Sequence, residues 1–174
     1  VFRFIGRRLR GVRADPELRV AADPRFAHAY RTMTLTADFE NNTTLPPGND
    51  SPALYWRDVP EDARTLVLIV EDLDAPLPRP LTHAVAYEIA PDSTGLAAGA
   101  LESTRTTMGF NAMHRRAFIA PTPLPGHGPH RYVFTLLAVD YVPRFDQPPT
   151  RERLLDAVAG HVLALAELTG YRER

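Results

Sequence analysis

The sequence predicts a mainly β protein, an α+β chain of antiparallel strands with one C-terminal helix. Two observations carry that expectation. Short segments alternate apolar and polar residues and are bounded by turn formers, the pattern of half-buried strands. In addition, the 17 prolines of the 174-residue chain are spread along its whole length, as ordered loops between short strands would place them.

The first segment carries Arg3, Arg7, Arg8, Arg10 and Arg13 before the first acid, Asp15, and spaces Phe4, Ile5, Leu9 and Val12 for one helical face. It reads as a basic arm whose apolar stripe packs on the domain or on a second copy, followed by a loop punctuated by Asp15-Pro16 and Asp23-Pro24, together residues 1–30. Met33, Leu35, Ala37 and Phe39 then alternate with polar residues, and Asn41 to Asp50 form turns. Leu54 to Trp56 offers a short strand. Thr65 to Glu71 is a nearly continuous apolar run, expected to be covered on both faces. In the next strand His83, Val85, Tyr87 and Ile89 should share a face. In the one after, His130, Tyr132, Phe134 and Leu136 should do so while Arg131 points the other way. Pro148-Pro149 stops the chain before the helix, Thr150 can cap it, and Leu155, Val158, Val162, Leu165 and Leu168 make its stripe up to Gly170. Gly160 inside that stripe costs about 1 kcal/mol relative to alanine.

Composition narrows the chemistry. The length fits one domain over residues 1–174. A formal charge of -1 argues against general nucleic-acid binding. Without cysteine there is no disulfide, thiol nucleophile, iron–sulfur cluster or thiolate zinc site. All 20 basic residues are arginines, so P-loop, Schiff-base and kinase-type lysine chemistry is excluded. Of the three serines, Ser51, Ser93 and Ser103, none lies in a G-x-S-x-G string. No apolar run reaches the roughly 18 residues of a transmembrane segment, and a cytoplasmic location is expected.

The unusual polar residues fall in three strings: Asp72-Leu73-Asp74-Ala75-Pro76 after the buried strand, Thr82-His83 at the head of the next, and Gly126-His127-Gly128-Pro129-His130-Arg131-Tyr132. A carboxylate beside an imidazole fixes its tautomer and leaves the other nitrogen for an anion. Glycine loops let backbone N–H groups approach the same anion. His127 itself is expected in an exposed loop, and His83 alone would more often be a hydrogen-bonded core histidine.

Taken together, SPALYWRDVP (51–60), TLVLIVEDLDAP (65–76), GHGPHRYVFTLLAVD (126–140) and GHVLALAELTGYR (160–172) resemble the phosphatidylethanolamine-binding protein family, in its bacterial Raf-kinase-inhibitor-like branch, from about Met33 to Tyr171. The resemblance implies a compact antiparallel β-sandwich, frequently a homodimer, with a small pocket for phosphate, acetate or a phosphorylated headgroup. It places Asp72, His83, His130 and Tyr132 on the pocket wall and makes Asp74 the second aspartate of the family's DPDAP motif, here DLDAP. Ile119 to Leu124 replaces the Gly-Gly-Pro-Cys-Pro-Pro rim, so Ala120 and Pro121 are expected at the ligand. Arg115 and Arg116, after the Gly109-Phe110-Asn111 lead-in, could add charge at the mouth.

The leading expectation is therefore non-catalytic binding of a small anionic or phosphorylated ligand without a cofactor. A kinase- or protease-inhibiting interaction protein is the first alternative, and the same Asp, His and Tyr groups would also suffice for a cofactor-free acid-base enzyme. A metal site on Asp72, Asp74, His83 and His130 is the weakest reading, because imidazole-carboxylate pairing already satisfies those groups.

Overall fold

The computed structural model describes residues 2–102 and 104–174. Val1, at the head of the basic arm, and Ser103 lie outside the described residues. The chain runs α1 (Phe2–Arg8), three short 3-10 turns between Pro16 and Phe26, β1 (Thr34–Ala37), β2 (Thr43–Thr44), β3 (Leu54–Arg57), β4 (Thr65–Asp72), β5 (Leu81–Ile89), β6 (Gly95–Leu96), β7 (Thr107–Met108), β8 (His130–Val139), α2 (Arg151–Val158) and β9 (Val162–Arg172).

Among the described residues nine strands form two sheets. The larger has the order β2-β9-β8-β4-β5-β7 and the smaller β1-β3-β6. All pairings are antiparallel except β2 with β9. One apolar cluster fills the space between the sheets, where Leu35, Leu54 and Trp56 meet Leu66, Leu68, Phe134 and Leu136. A second lies on the other face of the large sheet, where Val67, Ile69 and Leu137 meet Leu154, Leu155 and Val158 of α2 and Val20 and Phe26 of the 3-10 turns. β4 is central to both, so every one of its residues is buried, as its continuous apolar run foretold. Among the described residues no helix is long and apolar enough to cross a membrane.

Three local expectations need correction. The C-terminal helix is capped by Thr150, whose Oγ1 accepts from the Arg153 N–H, but it ends at Val158. Gly160 takes φ +80°, the left-handed conformation that terminates helices, and the chain continues as β9. The stripe residues are buried all the same: Val162 and Leu165 face the α2 layer and Leu168 faces the small sheet.

In β5, Glu88 adopts φ +55° where one extra residue interrupts the pairing with β4. Ile89 therefore joins the inter-sheet cluster, while Val85 and Tyr87 stay with the other one. In the arm, Phe4, Ile5 and Val12 are exposed and Gly6 is the buried residue of α1, so the apolar stripe does not pack on its own domain.

Candidate functional site

β4 ends and β8 begins at the same edge of the large sheet, with Asp72 opposite Tyr132 in register, and β9 sets Arg172 opposite His130. Alternation then turns His130 and Tyr132 to the same face. His83 reaches that face by a bulge. Val70 pairs with Ala84 and Glu71 with Thr82, which leaves His83 as an extra residue and reverses the direction it would otherwise share with Val85. Its ring meets Tyr132 edge-on at 5.1 Å between centroids and Phe118 at 6.3 Å.

The Asp72 carboxylate is held from two sides. Oδ1 accepts the N–H groups of Asp74 and Ala75 at 2.8 and 3.1 Å, and Oδ2 lies 2.8 Å from His130 Nδ1. His130 Nε2, the nitrogen expected to be left for an anion, instead lies 2.8 Å from Nδ1 of His127, whose Nε2–H donates to the carbonyls of Leu9 and Val12 at 2.7 and 3.0 Å. The carboxylate, two imidazoles and the backbone of the arm thus form one chain. For all three links to be hydrogen bonds the chain needs three protons, one more than a carboxylate and two neutral imidazoles bring between them. His127 is buried, contrary to the exposed loop expected of it, because the arm lies over its ring.

His83 differs from its neighbours. Its Nδ1–H donates to the Ile119 carbonyl at 2.6 Å, while Nε2 is buried with no partner among the described residues. Burial pushes the pKa of the ring below the ordinary histidine value, against the opposing effect of the Ile119 bond, so Nε2 presents a lone pair. Burial, and then the charge of Asp72, pushes the Tyr132 phenol far up, which keeps its O–H as a donor. The site therefore sets a protonated hydroxyl, that of Tyr132, which also interacts with the Asp72 carboxylate, beside an acceptor, His83.

A cavity of about 190 Å³ lies alongside. Phe118, Pro121, Phe134 and Arg172 are in its wall, and three of them adjoin the cluster: Phe118 contacts His83, Phe134 follows Tyr132 along one strand face, and Arg172 lies across from His130. Arg172 is anchored by donation to the carbonyls of Pro46 and Gly48. Of the expected rim, Pro121 is buried in the cavity wall and Ala120 is half-buried beside it.

The remaining candidates stand elsewhere. Both Asp74 oxygens are taken by Arg131 and Arg13. Burial raises that carboxyl, but the hydrogen bonds from Arg131 and Arg13 outweigh it and hold the pKa at about 2. Arg115 and Arg116 are exposed and outside the cavity wall, with Arg116 Nε donating to the Met108 carbonyl at 3.1 Å. No group of metal-ligating side chains occurs among the described residues.

Two neighbours of the site, His127 and Arg172, were not singled out from the sequence. His127 sits in the quoted GHGPHRY string, but the Leu9 and Val12 carbonyls that cover it are more than 100 residues away. Arg172 is placed only by the β8–β9 register.

The family model described as phosphatidylethanolamine-binding protein matches residues 35–173. A UPF0098 protein of Methanothermobacter thermautotrophicus is 38% identical over 130 residues, 72% of this chain and 84% of its own. The solved structure of a phosphatidylethanolamine-binding protein homologue from Chlamydia trachomatis superposes with a TM-score of 0.75 at 34% identity, over 85% of this chain and 99% of its own. Escherichia coli YbcL, described as a member of the mammalian PEBP family, gives a TM-score of 0.73 at 23% identity over 83% of this chain and 99% of its own, a likeness of fold. With the match spanning both sheets and every residue of the Asp, His and Tyr cluster, this chain belongs to the phosphatidylethanolamine-binding protein family.

Proposed function

We propose that the chain binds a small phosphate-type anion at His83 and Tyr132, beside the Asp72–His130 pair, and that the oxygen meeting His83 carries a proton. The observation that carries this reading is the buried, unpartnered Nε2 of His83. A neutral ring already donating from Nδ1 has only a lone pair to offer there, and a lone pair accepts from P–O–H but repels a bare oxyanion. Tyr132 supplies the donor for an unprotonated oxygen, Arg172 a nearby positive charge, and Phe118, Pro121 and Phe134 an apolar wall for whatever the phosphate is attached to.

Phosphate and sulfate separate this reading from simple charge attraction, because sulfate has the same shape and no proton near neutral pH. Calorimetry at pH 6 is expected to show phosphate binding at least about tenfold tighter than sulfate, the equivalent of one charge-assisted hydrogen bond. Equal affinities would overturn the assignment of His83 as an acceptor. Mass spectrometry of what is released on denaturing the purified protein is expected to find a phosphorylated metabolite or headgroup.

A further inference from the structure

Residues 6–13 are held against the domain by contacts to the loop before β8 and to Asp74. Gly6 packs so closely that a Cβ there would stand 2.2 Å from the Pro125 carbonyl oxygen and 2.9 Å from the His127 nitrogen. Arg10 Nε donates to the Gly126 carbonyl at 3.0 Å, and Arg13 Nη1 donates to the Pro129 carbonyl at 3.2 Å and pairs with Asp74 at 2.7 Å. His127 Nε2–H is shared between the carbonyls of Leu9 and Val12. Apolar burial contributes little, since Phe2, Phe4, Ile5 and Val12 are exposed. A segment fastened by polar contacts at the surface belongs to the part of a fold that opens most easily.

What the arm covers is the outer end of the chain that runs from His127 through His130 to Asp72. Two carbonyl oxygens meeting a single N–H reproduce what two oxygens of a phosphate or carboxylate would present to it. We propose that His127 is a further ligand-binding residue, a donor to the anion, and that the carbonyl oxygens of Leu9 and Val12 occupy its Nε2–H in the ligand's place, making the arm an intramolecular plug. This inference rests on the anion-binding reading above. Ligand and arm then compete, and the apparent affinity of the parent protein is lowered by the fraction of molecules in which the arm is docked.

The full chain can test this directly. It has no cysteine, and Gly11 is exposed with open space where a Cβ would stand, so Gly11→Cys accepts a single nitroxide label on the arm. In the parent background the label is expected to be immobilised, and titration with inorganic phosphate to mobilise it. Arg13→Ala removes the bond to Pro129 and the pair with Asp74, which keeps Arg131 as partner. This variant should mobilise the label without phosphate and bind phosphate about tenfold tighter by calorimetry. Adding His127→Phe should abolish that gain.

A label as immobile in Arg13→Ala as in the parent, or a freed arm with unchanged phosphate affinity, would overturn the plug while leaving the anion site standing. Phosphate binding in neither protein would overturn the anion site, and the plug with it. Should His127→Phe fail to fold, the comparison of Arg13→Ala with the parent decides alone.

Discussion

Arg131 grips Asp74 from three atoms at once: its backbone N–H, Nε and Nη2 donate to the carboxylate at 2.7, 2.9 and 2.8 Å. Because these bonds hold the Asp74 pKa at about 2, below the ordinary value of 3.8, the unfolded chain binds more protons than the folded one in between. The pair's stabilisation is therefore complete above pH 3.8 and is lost as pH falls toward 2. Urea denaturation at pH 5 and pH 2.5 should show that Asp74→Asn flattens this acid limb by about 2 kcal/mol. An acid limb unchanged in the variant would show that other carboxylates govern it.

Asp72 is expected to tolerate asparagine far better than alanine. Asparagine keeps an oxygen for the N–H groups of Asp74 and Ala75, and its amide can donate to His130 Nδ1, which then satisfies every link with two neutral rings. Alanine strands two buried N–H groups and an imidazole nitrogen. Asp72→Ala should lose roughly 2 to 5 kcal/mol by denaturant titration, and Asp72→Asn less than about 1. Similar losses in both would contradict the proton count.

His83→Phe should separate stability from binding. It keeps a ring against Tyr132 and Phe118 and removes a buried unpartnered nitrogen, at the expense of one bond to Ile119. Stability at pH 7 is expected within about 1 kcal/mol of the parent, with phosphate binding lost. The variant should also lack one component of the parent's pH dependence. The His83 pKa is lowered by burial, so the unfolded chain takes up its proton first, and the parent loses stability as pH falls below the ordinary histidine value near 6.5. A variant that still binds phosphate would remove His83 from the site.

Gly160 decides where α2 ends. Nothing crowds the position, so the effect of Gly160→Ala is that of a left-handed φ imposed on an L residue, about 1 to 2 kcal/mol. The melting temperature should fall, and deletion of the glycine should cost more because it shifts β9 against β8.

The strand pattern was legible in β1 and β3, which alternate, and in β8, although β8 is buried on both faces. It misled at β9, because a strand buried on both faces satisfies helical and extended spacing alike, and the arbiter was the single residue Gly160. Asp72, His83, His130 and Tyr132 could be picked out by their joint resemblance to a family, and the structure brings them together. Their orientation was not legible: the His83 bulge is a property of the pairing between β4 and β5, and nothing in Leu81 to Ile89 announces an extra residue. His127 was misplaced for the same reason, since its burial is supplied by Leu9 and Val12 at the other end of the chain.

The bulge also has a genetic consequence. A three-nucleotide deletion that removes one residue at or just before His83 would let β5 pair with β4 without interruption, a change that hydrogen bonding within the sheet favours. It would also take the imidazole out of the cluster. Selection for folding or expression would pass such an allele, and only selection for the ligand would reject it.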